Sequence, residues 1–165
     1  MTFAERVEFA LDAGPFVSGR IEEKWDPGEC KNEKDYEKSL QSFLQAELYG
    51  IPITRQFGHG QMRADLAVGE KLLLELKHNF DSTSELQRSI GQLEILRTLG
   101  KTVIVVLAGR TDPNFAKQLE EHIEDMNCRG FNPMAPFGAF LQFLLVVKHT
   151  RPTPLSVADP ALLRP

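Results

Sequence analysis

The stretch from Gln61 to Lys77, QMRADLAVGEKLLLELK, decides the fold of this chain. Apolar and polar residues alternate before the Gly69-Glu70 pair, and a leucine-rich run follows it. Such alternation is typical of a strand with one buried face, and a glycine between two such runs is typical of a tight turn. The stretch therefore predicts a β-hairpin.

The length of the hairpin loop determines which side chains share a face. A three-residue loop, 69–71, pairs Val68 with Leu72 and Leu66 with Leu74, and it collects these four apolar side chains on one face. A two-residue loop shifts the pairing by one residue, so the apolar side chains of the two strands would lie on opposite faces. The hydrophobic pattern favours the three-residue loop.

Two carboxylates and an amine occupy the other face in that register. Glu75 and Lys77 are two apart on one strand, so their side chains leave the same face. The three-residue loop also places Asp65 opposite Glu75, and a bulge near Asp65 would achieve the same from the other register. One or two carboxylates plus a substrate phosphate suffice to hold Mg²⁺. Because the ion polarises a phosphate and acidifies its water, and a lysine can orient that water, the group suits phosphodiester hydrolysis.

The same spacing also occurs in solvated hairpins that carry a cross-strand salt bridge. The strand that bears Glu75 is otherwise all leucine, which favours a central position in the sheet. Charged side chains at such a position require a partner or a function. This context favours the catalytic interpretation over the salt bridge.

The flanking sequence predicts an α/β domain with an αβββαβ core over about 35–108, a small mixed sheet with helices on its faces. The strand over 102–108 follows a helical crossover and should lie parallel to the strand over 72–77. The expected elements are a helix over 35–49, a strand over 51–57 that Gly58-His59-Gly60 ends, a helix from Ser82 or Ser84 to about Leu99, the strand over 102–108, and a helix from Asp112-Pro113.

The two ends of the chain are less regular. A helix over 2–13, with Phe3, Val7 and Leu11 on one stripe, should stop at Gly14-Pro15, and residues 18–34 are expected to form a loop. Residues 139–148 are apolar enough for a strand or a buried helix. We expect one domain over 1–150 and an extended or disordered proline-rich tail over 151–165.

Composition favours a cytoplasmic protein. The chain has 165 residues, a net charge of -4, and two cysteines without metal-site spacing. Its N-terminus lacks the pattern of a signal peptide, and its apolar stretch over 137–147 is too short to span a bilayer. The acidic total argues against a generally basic nucleic-acid coat, but a local basic patch remains compatible with it.

The order of motifs resembles the PD-(D/E)xK superfamily, which includes restriction endonucleases, archaeal Holliday-junction resolvases and RecB-like exonucleases. A helix carrying Glu37 precedes Arg63-Ala-Asp65, then Leu74-Glu75-Leu76-Lys77, then a helix carrying Gln92-Leu93. Ala64 stands where the family has proline, and Leu96 stands where RecB-like members have tyrosine.

The resemblance implies roles for particular residues. Asp65 and Glu75 would ligate Mg²⁺ or Mn²⁺, with Glu37 as a further ligand, although Glu33 and Glu47 are competing acids nearby in the sequence. Lys77 would act on the attacking water, and Gln92 would help to organise the site as a fourth catalytic residue. Each could also be an ordinary surface charge or amide.

Four residues are expected to contact nucleic acid: Arg63, His78, Arg88 and His59. A backbone-binding rim could also include Arg55, Lys71 and Arg97, because phosphate contacts supply most of the affinity for nucleic acid.

The sequence thus predicts a Mg²⁺-dependent nuclease acting on DNA, preferably an endonuclease of repair, recombination or defence. The alternatives are an inactive nuclease fold that binds nucleic acid or protein, and an RNA-directed nuclease. A domain this small has little surface to hold a long duplex. We therefore expect a homodimer or larger assembly, with residues 137–147 as the candidate interface.

Overall fold

The computed structural model describes residues 1–60, 62–70, 72–129 and 142–149. Of residue 149 it describes the backbone alone. The elements in chain order are α1 (Phe3–Leu11), α2 (Ala13–Lys24), α3 (Glu33–Glu47), β1 (Ile53–His59), β2 (Met62–Val68), β3 (Leu72–Phe80), α4 (Thr83–Arg97), β4 (Thr102–Thr111), α5 (Pro113–Arg129) and β5 (Phe143–His149). The predicted α/β class is confirmed, and the αβββαβ core corresponds to α3 through β4.

The five strands form one mixed sheet in the order β1-β2-β3-β4-β5. The first three are antiparallel neighbours, whereas β3, β4 and β5 run parallel, as expected for strands joined by helical crossovers. In the hairpin, Val68 pairs with Leu72 and Leu66 with Leu74. The register of the three-residue loop is therefore confirmed.

Apolar side chains cover both faces of the sheet. Helices α1, α2 and α3 pack on one face, over the alternate residues Leu72, Leu74 and Leu76 of β3. Helices α4 and α5 pack on the other face, over alternate residues of β4 such as Val103 and Val105. The central strands are thus buried on both sides, as their continuous apolar runs predict.

Side-chain caps determine where the helices next to the hairpin begin. Asn32 Oδ1 accepts a hydrogen bond from the Asp35 backbone N–H at 3.1 Å, at the start of α3. Ser82, rather than Ser84, caps α4 and accepts from the Glu85 N–H at 3.3 Å. Such bonds satisfy amides that have no partner within the helix.

The predicted loop over 18–34 is wrong in its first part, because α2 continues to Lys24. Gly14-Pro15 does not end the helical region but forms the first turn of α2, where the missing N–H of proline carries no penalty. Gly14 allows close packing there, because an added Cβ would lie 3.0 Å from the Thr102 side chain and 3.2 Å from that of Leu144, closer than ordinary contacts.

Other expectations need smaller corrections. The helix near the N-terminus is confirmed, but Phe3 and Leu11 of its stripe are more than four-fifths exposed, and Phe9 is the buried residue. Strand β1 continues through Gly58 to His59, since the positive φ of that glycine lets the strand bend without ending.

The apolar segment near the C-terminus is only partly covered by the structure. Its described part forms a strand, β5, in which Phe143 and Val146 are buried. These two side chains therefore belong to the core rather than to an interface. Residues 137–141, the tail over 151–165 and Lys71 lie outside the described residues.

Candidate active site

The ladder between β2 and β3 ends where the predicted site begins. The paired residues of β2 run from Val68 to Leu66. At the next residue, Asp65, the side chain makes the hydrogen bond to β3. Asp65 Oδ2 accepts a hydrogen bond from the Leu76 backbone N–H at 2.8 Å. The Asp65 carboxylate therefore accepts a hydrogen bond that a backbone carbonyl would accept in a regular ladder. This bond holds Asp65 against β3 beside Glu75.

Glu75 and Lys77 contact each other on β3. Lys77 Nζ donates to Glu75 Oε1 at 2.6 Å, and the two residues are only 6% and 4% exposed. Glu75 Oε2 is also buried but has no hydrogen-bond partner within the described ranges. An unpaired oxygen on a buried carboxylate is costly, because it loses its hydration without a replacement.

The two carboxylates are difficult to ionise together. Burial, together with the neighbouring charge of Glu75, raises the pKa of Asp65 to about 7, against the lowering effect of the hydrogen bond from the Leu76 N–H. Burial also raises the pKa of Glu75, although Lys77 counteracts this. Two crowded, desolvated carboxylates form an environment that a divalent cation would stabilise.

Glu37 forms an ion pair with Arg55. It is buried on α3, and its Oε2 accepts a hydrogen bond from Arg55 Nη2 on β1 at 2.8 Å. Its charge nevertheless acts on the site, since it contributes to the raised pKa of Asp65. Glu33, one helical turn earlier, likewise contributes to the raised pKa of Glu75.

Gln92 binds the backbone of β2. Its Nε2 donates to the carbonyl oxygen of Arg63 at 2.9 Å, two residues before Asp65. This bond ties α4 to the strand that carries Asp65. The Arg63 side chain is exposed.

His78 is held between two elements next to Lys77. Its ring centroid lies 5.0 Å from that of Tyr36 on α3. On β4, a Cβ added to Gly109 would lie 2.9 Å from His78 Cδ2, so only glycine leaves room for the ring. The half-buried His78 ring is therefore fixed close to the residues of the candidate site.

The remaining candidates lie on exposed surfaces. Arg88 pairs with Glu85 on α4 at 3.4 Å, and Arg97 pairs with Glu94 at 3.8 Å. His59 is exposed at the end of β1 and its Nδ1 lies 2.7 Å from the Gly58 carbonyl oxygen. Within the described residues, none of these side chains hydrogen-bonds to Asp65, Glu75 or Lys77.

Two parts of this arrangement were not anticipated from the sequence. The sequence suggests Arg55 only as a rim residue, whereas its position on β1, opposite Leu66, places it on the face that α3 covers. The packing at Gly109 is the second part, and a glycine at the end of a strongly β-branched run is the sequence signal for a close contact there.

The donor set at Asp65 and Glu75 fits a hard divalent cation. Both offer carboxylate oxygens, and Glu75 Oε2 has no other partner in the described part of the chain. No group of three or more His, Cys, Asp or Glu residues within the described ranges has the arrangement of a metal site. Two carboxylates of this kind could hold an ion such as Mg²⁺ together with water and a phosphate.

Comparisons with known proteins add little to this geometry. No family model matches the chain, and no curated protein matches it. Among solved structures, Pyrococcus furiosus SfsA in complex with Ca²⁺ is similar over 70% of this chain and 56% of that chain, with 19% identity and a TM-score of 0.38. The chain therefore matches little more than half the length of SfsA, and so low a TM-score establishes no family.

None of the helices in the described ranges is long and apolar enough to cross a membrane.

Proposed function

We propose that this protein is a Mg²⁺-dependent nuclease of the PD-(D/E)xK type that hydrolyses DNA phosphodiester bonds. The observation that supports the proposal most strongly is the juxtaposition of Asp65 and Glu75 beside Lys77. The pKa of each carboxyl is raised, and one buried oxygen of Glu75 has no partner among the described residues. Perturbed carboxyls that share a buried position are typical of functional sites.

Each residue has a distinct role in this proposal. Asp65 and Glu75 bind Mg²⁺ through their carboxylate oxygens, and Mn²⁺ could replace it. When bound, the ion would polarise the scissile phosphate and acidify a water. Lys77 donates one of its three N–H groups to Glu75 Oε1, which leaves two to orient the attacking water and to balance charge on the phosphate.

The placement of the remaining groups is consistent with these roles. Gln92 fixes the backbone of β2 near Asp65 through the Arg63 carbonyl, and Asp65 is the more exposed of the two proposed ligands. A phosphate would therefore approach from the Asp65 side. From the sequence resemblance alone, we propose an endonuclease of DNA repair, recombination or defence that acts as a homodimer.

A substrate panel tests the proposed activity. The purified protein would be incubated with supercoiled plasmid, linear duplex, single-stranded DNA, a four-way junction and RNA, in Mg²⁺ or EDTA, beside Glu75→Gln. We expect Mg²⁺-dependent cleavage of DNA by the wild type and loss of cleavage in the variant. Binding to DNA without cleavage by either protein would favour an inactive nuclease fold, and cleavage of RNA alone would contradict the assignment to DNA.

A further inference from the structure

Glu37 already has a strong partner. Its Oε2 accepts from Arg55 Nη2 at 2.8 Å, and the side chains of the two residues are 9% and 34% exposed. Burying a carboxylate without a partner is costly, and the Arg55 guanidinium supplies that partner. Glu37 differs in this respect from Glu75, whose second oxygen has no partner in the described part of the chain.

Arg55 has hydrogen-bond donors that Glu37 does not use. A guanidinium carries five N–H groups in a rigid plane and keeps its charge over the whole accessible pH range. Glu37 is the acceptor for Arg55 Nη2 within the described residues. Because the Nε of Arg55 is buried, the remaining N–H groups of Nη1 and Nη2 are the ones available to a ligand. One carboxylate thus holds the guanidinium in place without using up its hydrogen-bonding capacity.

The pair lies next to the candidate active site. Arg55 on β1 is the cross-strand partner of Leu66, the residue that follows Asp65. The Arg55 side chain is one-third exposed at this position, so a ligand can contact it from solvent.

We infer that Arg55 contacts a phosphate of the nucleic-acid backbone, and that Glu37 is a positioning residue that aims Arg55 rather than a third metal ligand. The planar guanidinium matches the geometry of phosphate oxygens, and a charge-assisted hydrogen bond of this kind is strong. This inference rests on the proposed nuclease function, because it assigns the anion to the substrate of that site.

A metal-binding measurement distinguishes a positioning role of Glu37 from a role as a metal ligand. Mn²⁺ binding by the protein without DNA would be measured by calorimetry for the wild type, Glu37→Gln and Glu75→Gln. We expect the dissociation constant of Glu37→Gln to stay within about threefold of the wild type, and that of Glu75→Gln to rise at least about tenfold, which corresponds to about 1.4 kcal/mol. An equal loss in both variants would show that Glu37 is a metal ligand and would overturn the inference.

DNA binding in EDTA tests Arg55. The affinity for a linear duplex would be measured against salt concentration for the wild type, Arg55→Met and Arg55→Lys. Loss of one phosphate contact should reduce the slope of log K against log salt by about 0.9 in Arg55→Met, and Arg55→Lys should restore it. The double variant Glu37→Gln/Arg55→Met should bind like Arg55→Met alone, because Glu37 acts only through Arg55.

Arg20→Met is the matched control, since Arg20 also forms an ion pair with a glutamate, Glu5, at 2.6 Å, but lies on α2. It should bind DNA with the wild-type slope. An Arg55→Met protein with wild-type affinity and slope would show that the Arg55–Glu37 pair is only structural. If the wild type binds DNA with this Arg55 dependence but does not bind Mn²⁺, the proposed metal-dependent function fails while the phosphate contact stands.

Discussion

Replacing Asp65 by asparagine should abolish cleavage and yet stabilise the metal-free fold at alkaline pH. The Leu76 N–H donates to Asp65 Oδ2 at 2.8 Å, and an asparagine oxygen can accept the same hydrogen bond. The amide carries no charge, so it avoids the cost of ionising a buried carboxyl beside Glu75. The substitution therefore separates the requirements of catalysis from those of stability.

The pKa of Asp65 determines the size of the effect. Burial raises it from 3.8 to about 7, so the folded state holds a proton that the unfolded chain releases at lower pH. This contribution to stability is fully present below about pH 4 and is lost as the pH rises through about 7. At about 1.4 kcal/mol per pH unit, the loss approaches about 4 kcal/mol at pH 8, of which roughly 2.5 kcal/mol accrues above pH 5.

Urea denaturation of the wild type and Asp65→Asn at pH 5 and pH 8, in EDTA, would measure this difference. We expect the variant to be more stable at pH 8 by about 1 to 3 kcal/mol. The gain is smaller than about 4 kcal/mol because the new amide hydrogens need partners. We expect the advantage to shrink by about 2 kcal/mol at pH 5. Asp12→Asn is a suitable control, since Asp12 is exposed and its side chain makes no capping bond. An advantage that does not change with pH, or a variant that is less stable at pH 8, would refute the reasoning.

Three further predictions concern the elements that hold the site in place. Ser82→Ala should lower the free energy of unfolding by about 1 kcal/mol in urea denaturation, because it removes the cap of α4, and Ser84→Ala should have a smaller effect. Gly109→Ala should lower the melting temperature and shift the NMR signals of the His78 ring, since the new Cβ would lie 2.9 Å from that ring at a φ of +77°. Wild-type His78 signals would contradict this packing. Gln92→Ala should reduce the cleavage rate but leave Mn²⁺ affinity unchanged, because Gln92 binds β2 backbone rather than the carboxylates, and a large loss of Mn²⁺ affinity would contradict that role.

The hairpin and its register were predictable because they depend on local alternation. Of the two-residue and three-residue loops, only the three-residue loop places Leu66, Val68, Leu72 and Leu74 on the same face, and the structure has that register. The parallel order of β3 and β4 was predictable for a similar reason, since a helical crossover between adjacent strands leaves little choice. The same register brings Asp65 to β3.

The parts that were missed depend on tertiary contacts. Gly14-Pro15 resembles a helix terminator, whereas in the structure both residues lie in the first turn of α2, where Gly14 packs closely against Thr102 and Leu144. The pairing of Arg55 with Glu37 joins β1 to α3 across 18 residues, so no short spacing in the sequence reveals it. The position of Glu37 in the order of motifs therefore did not indicate that its partner would be Arg55.

The most direct test of the central claim is a plasmid-nicking assay on the wild type and Lys77→Met, in Mg²⁺, in EDTA, and after Mg²⁺ is added back to the EDTA sample. Lys38→Met is the matched control, because Lys38 is exposed on α3. The account predicts nicking that EDTA stops and Mg²⁺ restores, which is present in Lys38→Met and absent in Lys77→Met. Nicking by Lys77→Met at the wild-type rate would contradict the assignment of the active site to Asp65, Glu75 and Lys77.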